Sequence, residues 1–280
     1  MRYFLMVARE ENITRAADFL HITQPTLSRQ LADLESELGV TLFERSSHRI
    51  RLTQDGLLLK RSAQEIVELE EKTRNQFLNN DETISGELSF GCGELSSMTE
   101  LSAALSQFHA EHPMVHYTIF SGTADDIKDR VEKGLLDFAL LLEPVDISTY
   151  EFIRMKTKEK WCALVKADSE LAQKKELAPN DLKDMTLILP SRGMVKNVVS
   201  NWLGDYAKNI TIAATANLPY NGAVAVKQGL GVSLTLSLEC RYDGVAAIPL
   251  TPAIECGSVL AWKRGLPHSR AVERFIQTIK

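Results

Sequence analysis

An α+β fold is predicted for this chain of 280 residues, because three kinds of pattern succeed one another along it. Residues 1–53 show short helical patterns and a small basic hairpin, and residues 54–84 show one long amphipathic helix that ends in a polar hinge. Residues 85–280 alternate apolar strands with helices, which is typical of a parallel sheet. We therefore expect a helix-rich N-terminal domain, a linker helix and a larger α/β domain.

A helix-turn-helix pattern dominates the N-terminal domain. Ala16 and Ala17 are small, so a second helix can cross closely over the first. Thr23 is a favourable N-cap of that second helix, Pro25 is tolerated in its first turn, and Gly39 suits its end. Apolar side chains repeat along one face, at Leu27, Leu31, Leu34 and Leu38.

The opposite face of this second helix carries short polar side chains and an arginine, which suit base edges and phosphates. An ordinary helical hairpin with a solvated polar face is the alternative, but a basic cluster between Phe43 and Leu52 favours a two-stranded wing. A winged helix-turn-helix places one helix in the DNA major groove. The predicted contacts are Gln24, Pro25, Thr26, Ser28 and Arg29 in the major groove, with Arg49 and Arg51 on the backbone or in the minor groove.

Composition favours a soluble cytoplasmic protein, because no apolar run approaches the roughly 18 residues of a membrane span and no signal-peptide pattern opens the chain. The net charge is −5. Residues 1–58 contain seven Lys and Arg against eight Asp and Glu, a net charge of −1. Binding to DNA must therefore depend on where the arginines are placed, and a dimer would double those contacts.

An ordered set of motifs runs through this region: Arg2-Tyr3-Phe4, Thr14-Arg15-Ala16-Ala17, Thr23 to Gln30, Leu34-Glu35, Leu38-Gly39-Val40, Leu42 to Arg45, and Leu52-Thr53. The set resembles the LysR-type bacterial transcriptional regulators, strongly to about residue 75 and in architecture beyond it. This chain departs from the family in one respect: a few more residues usually precede the position of Arg2, whereas the first helix here begins almost at Met1. The resemblance implies a sequence-specific regulator under the control of a small-molecule effector. It also implies a homodimer or homotetramer on an interrupted inverted repeat of double-stranded DNA, in contact with RNA polymerase.

One long helix is predicted after Thr53, which is a suitable N-cap. Nothing nearby in the sequence covers its apolar stripe, so a partner chain is the expected cover, as in a two-helix seam. Packing on its own wing domain is the alternative, and the family resemblance favours the dimer. Residues 79–86 are predicted to form a hinge. The stripe comprises Leu58, Leu59, Ala63, Ile66, Val67, Leu69 and Phe77.

Two α/β lobes joined by crossovers are predicted for the rest of the chain. They resemble the effector domain of the family, which is similar to type 2 periplasmic binding proteins. Lobe I is expected at about 85–162 and 238–280, and lobe II at about 163–237. The tail is expected to return to lobe I with strands at Val245–Pro249 and Val259–Trp262 and a helix at Ser269–Ile279.

Ligands of such sheets bind at the carboxyl ends of the strands, between the lobes. Free N–H groups at the helix starts near Ser96 and Met194 would attract an anionic group. Many family members carry a hydroxyl residue where this chain has Leu95, and we expect Ser96 or Ser97 to replace it. The candidate effector contacts are Glu94, Ser96, Ser121, Gly122, Glu143, Ser191, Arg192 and Asn221. For each residue taken alone, a purely structural role as a helix cap or turn former is the alternative.

An effector with a cationic or donor-rich end and an anionic end is the resulting hypothesis. Glu94 and Glu143 follow strands that should lie side by side, and two like charges at one cleft require a cation or donor. Arg192 from the opposite lobe is able to pair with either glutamate or to bind a ligand carboxylate. An amine-bearing or amino-acid-like metabolite therefore fits better than a dicarboxylate. A neutral pocket, with the glutamates in solvent, is the alternative.

Neither an enzyme nor a cofactor-dependent protein is predicted. Gly91-Cys92-Gly93 follows a strand, but Ser96 occupies the place of the third glycine of a dinucleotide loop. Three neighbouring histidines lie on a helix end, a turn and a strand, and surface or core positions explain them better than a metal site: His109, His112 and His116.

Two further classes stay open as alternatives. Four cysteines lie far apart in the sequence, and buried reduced thiols explain them best: Cys92, Cys162, Cys240 and Cys256. Some LysR-type regulators sense oxidants through a cysteine pair, so a redox-sensing regulator is one alternative. A cytoplasmic solute-binding protein is the other, and the lack of an export signal opposes a solute-binding protein.

Overall fold

The computed structural model describes residues 1–45, 50–78, 84–238 and 240–280. The chain divides into two compact units, Met1–Asn80 and Asp81–Lys280. Three sequence predictions fall outside the described residues: the wing residues His48 and Arg49, most of the hinge, and the side chain of Phe77. Within the described ranges, no helix has the length and apolar character needed to cross a membrane.

The N-terminal unit consists of short helices, one hairpin and one long helix. Its elements are α1 Arg2–Glu10, α2 Ile13–Phe19, α3 Gln24–Leu38, β1 Phe43–Arg45, β2 Ile50–Leu52 and α4 Gln54–Leu78. The Thr23 side chain accepts from the N–H of Thr26 and so caps α3, and Gly39 ends the helix at φ 68°. Both capping positions are as the sequence predicts.

A single apolar core holds the N-terminal unit together. It contains Phe4, Val7, Ala16, Ala17, Leu27, Leu31, Leu42 and Ala63. Leu38 is exposed, so the predicted apolar stripe of α3 leaves the core before the helix ends. A Cβ atom on Gly56 would lie 2.2 Å from the carbonyl oxygen of Leu42, and α4 therefore approaches the wing as closely as backbones allow.

The C-terminal unit contains two sheets with helices packed on them. Its strands are β3 Gly86–Cys92, β4 Val115–Ser121, β5 Phe138–Leu142, β6 Tyr150–Arg154, β7 Glu159–Lys166, β8 Thr186–Pro190, β9 Thr211–Ala216, β10 Val232–Leu236, β11 Val245–Pro249, β12 Glu255–Cys256 and β13 Ser258–Lys263. Its α-helices are α5 Met98–Glu111, α6 Ala124–Glu132, α7 Gly193–Leu203, α8 Pro219–Lys227 and α9 Arg270–Ile279. Short 3-10 segments occupy Glu170–Gln173, Pro179–Leu182 and Gly204–Asn209.

Each sheet forms the centre of one lobe. Lobe I has the strand order β4-β3-β5-β13-β6, with β3 parallel to both β4 and β5. Lobe II has the order β11-β7-β10-β8-β9, with β8 parallel to both β10 and β9. The two predicted α/β lobes are thus present, and the crossings between them lie between β6 and β7 and between β12 and β13, since β12 still pairs with β7.

The predicted return of Val245–Pro249 to lobe I is wrong. This strand, β11, pairs antiparallel with β7 in lobe II, and the chain returns only at β13. Its burial alternates along the strand, with Ile248 inside and Ala247 outside. Such a pattern suits the edge of either sheet, so it does not identify the partner strand.

Candidate functional site

The exposed face of α3 presents polar groups in a row. Gln24, Thr26 and Arg29 are exposed, and Ser28 is half-buried. Gln24 Nε2 donates to Ser28 Oγ at 2.9 Å, and the hydroxyls of Thr23 and Thr26 lie 2.8 Å apart. Pro25 is exposed in the first turn. The opposite face is buried, so this helix turns one ordered polar surface outward.

Arg29 and Arg15 differ in their surroundings. Arg15 Nε lies 2.7 Å from a carboxylate oxygen of Glu10, so its guanidinium already has an acidic partner within the unit. In the part of the chain that the structure describes, no acidic side chain pairs with Arg29. The guanidinium of Arg29 is therefore available to a phosphate or a guanine edge.

The wing is fixed to α3 by a carboxylate that the sequence analysis missed. Glu35 Oε1 accepts from the backbone N–H of Leu42 at 2.6 Å and of Phe43 at 3.2 Å. Arg51 is exposed on β2, in register with Glu44 on β1. The available signal was an acid eight residues before an apolar strand start, and on its own such a spacing is not specific.

A cavity of about 110 Å³ lies between the two lobes of the C-terminal unit. Its walls are mainly apolar, and lobe II also contributes Thr235 and the buried hydroxyl of Ser233. Four predicted effector contacts line it: Glu94, Gly122, Ser191 and Arg192. The rule that ligands bind at the carboxyl ends of the strands, called here the strand-end rule, therefore selected the loops that meet at this cavity.

The other four predicted effector contacts are not among the lining residues that the structure describes. They are Ser96, Ser121, Glu143 and Asn221. Ser121 and Asn221 are exposed, at the end of β4 and in the first turn of α8. The strand-end rule places a loop at the cleft but does not say which of its side chains turn inward.

Glu143 lies against the second crossing between the lobes. Its carboxylate is 3.4 Å from Arg154, and its backbone N–H donates to the carbonyl of Gly257 at 2.9 Å. A Cβ atom on Gly257 would lie 2.1 Å from Glu143 Oε2, so the carboxylate fills the space that the glycine leaves. The expectation that Glu94 and Glu143 border one cavity is therefore wrong.

The start of α5 already holds an anion that belongs to the chain. Glu159 is fully buried, and its two carboxylate oxygens accept from the N–H groups of Ser96 at 2.8 Å and Ser97 at 2.9 Å. Ser96 Oγ donates to the carbonyl of Ser237 at 3.1 Å. The N–H groups near Ser96 that were predicted to be free are thus occupied, because Glu159, the first residue of β7, lies beside the start of α5.

Two contacts join the lobes across the cavity. Glu94 Oε2 accepts from the backbone N–H of Tyr220, at the start of α8, at 3.3 Å. Arg192 Nε lies 3.8 Å from Asp125 Oδ1, on the first turn of α6. Lobe I supplies the acid and lobe II supplies the donor in both contacts.

The thiols do not favour a peroxide-sensing site. Burial raises the pKa of Cys92 and of Cys256, and it raises the pKa of Cys162 to about 12. A protonated thiol is a poor nucleophile. Cys240 is exposed. Among the described residues, no cluster of His, Cys, Asp and Glu suits a metal ion.

Relatives of known type match the whole chain. The YybE protein of Bacillus subtilis strain 168, an uncharacterized HTH-type transcriptional regulator, is 26% identical over all of this chain and 96% of its own length. The hydrogen peroxide-inducible genes activator of Pectobacterium carotovorum is 25% identical over all of this chain and 94% of its own length.

Solved structures share the fold. The LysR family regulator CbnR superposes with a TM-score of 0.78 at 20% identity, over 99% of this chain and 96% of that one. CbnR in complex with its target DNA superposes with a TM-score of 0.75 at 21% identity, over 99% of this chain and 96% of that one. The predicted fold class is confirmed by these superpositions and by the family models that match the chain.

Two family models divide the chain between them. The model of the bacterial regulatory helix-turn-helix protein of the lysR family matches residues 1–57. The model of the LysR substrate binding domain matches residues 81–280. The chain therefore belongs to the LysR family of transcriptional regulators, with a DNA-binding helix-turn-helix followed by an effector-binding domain.

Proposed function

We propose that this regulator binds an interrupted inverted repeat of double-stranded DNA, with α3 of each of two protomers in a major groove. The observation that carries the proposal is the two-sided character of α3. Leu27 and Leu31 are buried, whereas Gln24, Thr26 and Arg29 are exposed on the other side. A helix fixed by its apolar face and open on its polar face suits direct readout of base edges.

The wing supplies contacts to the DNA backbone. Arg51 is exposed on β2, and Glu35 fixes the wing to the end of α3. Together these features support phosphate or minor-groove binding by the wing, with Arg49 as a second contact. The domain has little net charge, so the affinity depends on adding the contacts of two protomers.

Dimerisation is proposed to use α4. Leu58, Ile66 and Leu69 are 72%, 50% and 41% exposed, whereas Ala63 on the next face is buried in the core of its own unit. The exposed residues recur at helical spacing and form one stripe. A second α4 helix would cover this stripe, and a tetramer would then require a further interface in the C-terminal unit.

The cavity between the lobes is proposed to bind the small-molecule effector. It combines an apolar wall with Glu94 and Arg192, which belong to opposite lobes. A ligand there would change the relative position of the lobes and thereby the spacing of the DNA-binding units in a dimer. RNA polymerase is the further partner, and the cytoplasm is the compartment in which such a regulator acts.

Footprinting of the full-length protein on the DNA upstream of its own gene tests this proposal. We expect two protected half-sites on one face of the duplex, separated by one helical turn or a multiple of it. The Arg29→Ala variant should lose protection of both half-sites together. A footprint confined to one half-site at all protein concentrations would contradict the dimeric arrangement.

A further inference from the structure

The two contacts across the cavity have the same polarity, unlike the Glu159 contacts at the start of α5. In both, a carboxylate of lobe I faces a donor of lobe II: Glu94 faces the N–H of Tyr220, and Asp125 faces the guanidinium of Arg192. Two of these four groups, Glu94 and Arg192, also line the cavity. The cavity is therefore negative on the lobe I side and positive on the lobe II side.

We propose that the effector is a zwitterionic α-amino acid with an apolar side chain, bound with its ammonium group on Glu94 and its carboxylate on Arg192. This inference rests on the proposed function, because it names the ligand class and the orientation within the effector cavity. The ligand would replace each of these two contacts across the cavity by a contact of the same polarity.

Glu94 suits an ammonium group. Among the described residues, its carboxylate accepts from one neutral N–H donor at 3.3 Å, which is long for a hydrogen bond. A charged donor forms shorter and stronger hydrogen bonds with a carboxylate than a neutral one. The side chain is half-buried beside an apolar wall, so a cation there meets less competition from water than at the surface.

Arg192 suits a carboxylate. Its side chain is 16% exposed, whereas that of its partner Asp125 is 78% exposed and lies 3.8 Å away. A ligand carboxylate would form two parallel hydrogen bonds with the guanidinium and would lie deeper in the cavity than Asp125 does. Arg192 directly precedes α7, and the positive end of that helix adds to the attraction.

Acids beside the cavity disfavour a second anionic group on the ligand. Glu159 occupies the N–H groups at the start of α5, and it is fully buried. Glu94 is a second acid at the cavity. A dicarboxylate would therefore have one carboxylate beside these acids without a donor.

The remaining wall selects an apolar side chain. It is formed by aliphatic and aromatic residues of both lobes, among them Leu95, Ile127, Trp161, Leu189 and Leu234. A branched aliphatic or aromatic group would remove this surface from water. A polar side chain would leave its hydrogen-bonding groups unpaired against this aliphatic part of the wall, away from the hydroxyls of Ser233 and Thr235.

Calorimetric titration of the full chain with matched probes tests the inference. One set consists of L-leucine, isopentylamine and 4-methylpentanoate, and the other of L-phenylalanine, phenethylamine and 3-phenylpropanoate. The members of a set share the apolar group and differ only in the charged groups. At least one amino acid should bind about tenfold or more tightly than its amine and its acid.

Two variants assign the orientation, and one serves as the control. Glu94→Gln should weaken the amino acid and the amine but leave the acid unchanged. Arg192→Gln should weaken the amino acid and the acid but leave the amine unchanged. Glu143→Gln removes a carboxylate at another strand end of lobe I that does not line the cavity, and it should change none of the affinities. Circular dichroism would verify that all three variants are folded.

Three results would overturn the inference: an acid that binds as tightly as its amino acid, an amino acid insensitive to both Glu94→Gln and Arg192→Gln, or no binding of any probe. The same preparation is to be tested on its DNA site. Specific DNA binding without binding of any probe would reject the ligand class and leave the proposed function standing. Loss of DNA binding in the wild type would reject the proposed function itself.

Discussion

The buried carboxylate of Glu159 accepts a hydrogen bond from the backbone N–H of Ser96 at 2.8 Å. The positive end of α5 therefore already has a negatively charged partner from the same chain. Glu159 opens β7 of lobe II, whereas α5 packs on the sheet of lobe I. In a second contact the roles are reversed: Glu100 of α5 supplies the carboxylate, and it accepts from the backbone N–H groups of Lys156 and Thr157 in the crossing segment. These reciprocal contacts fix the first crossing between the lobes to one end of α5.

Replacing Glu159 with glutamine should destabilise the C-terminal unit by about 1–3 kcal/mol, because an amide has one acceptor oxygen for two buried N–H groups. All three tryptophans lie in this unit, so denaturant unfolding followed by tryptophan fluorescence measures its stability. Glu170→Gln, at an exposed position, is the matched control. Equal unfolding midpoints of the two variants would show that Glu159 does not stabilise the crossing.

Placing a charge in the exposed stripe of α4 should weaken the dimer. Ile66→Glu would bury a carboxylate in the proposed seam, where its desolvation is unfavourable. Gln64→Glu adds the same charge at an exposed position of the same helix that is outside the stripe, and it should leave the dimer intact. Sedimentation velocity at micromolar concentration distinguishes the two. A monomeric wild-type protein at that concentration would contradict the assignment.

The stability of lobe I should fall in acid through Glu132. Hydrogen bonds from Lys263 and from Tyr150 lower the pKa of this carboxyl from its usual 4.5. A lowered pKa in the folded state contributes stability above the unfolded pKa, and this contribution is lost as the pH falls through the lowered value.

The Glu132→Gln variant isolates this pH dependence. Its deficit in stability relative to the wild type should be constant near neutral pH and shrink below about pH 4.5. Glu111→Gln, at an exposed helix end, should behave like the wild type throughout. A deficit that does not depend on pH would mean that Glu132 acts through packing instead of charge.

Hydrogen peroxide should not control DNA binding through the buried thiols. Burial raises the pKa values of Cys92, Cys162 and Cys256, so these groups are protonated near neutral pH. We expect Cys240, which is exposed, to be the fast-reacting thiol of the native protein, and Cys240→Ser to abolish that reaction. Peroxide-dependent loss of DNA binding that Cys162→Ser prevents would revive the redox alternative.

Local signals predicted most elements of the fold. Thr23 and Gly39 mark helix ends by chemistry that acts within a few residues, and the structure has helix ends at these positions. The strand predicted at Val259–Trp262 and the helix predicted at Ser269–Ile279 lie within one residue of the observed bounds, because each is a periodic apolar pattern beside turn residues. Strand β6 was not predicted, since it is only five residues long and two of them, Glu151 and Arg154, are charged.

The candidate site was only partly predictable. The strand-end rule identified the loops of Glu94 and Arg192, because it depends on topology alone. It placed Glu143 wrongly, since the direction of that side chain depends on the gap beside Gly257, a residue far along the chain. It missed Glu159, which lies 63 residues from the Ser96 N–H that it binds, and no spacing in the sequence connects the two.

The central claim is that α3 reads DNA sequence, and fluorescence anisotropy on two duplexes tests it most directly. One duplex carries the footprinted site and the other the same bases in scrambled order, at one stated salt concentration. The wild type should bind the site about a thousandfold or more tightly than the scrambled duplex. Arg29→Ala should weaken the specific complex by about 1–3 kcal/mol, whereas Arg241→Ala, an exposed arginine of the C-terminal unit, should not. Equal affinity of the wild type for both duplexes would contradict the account.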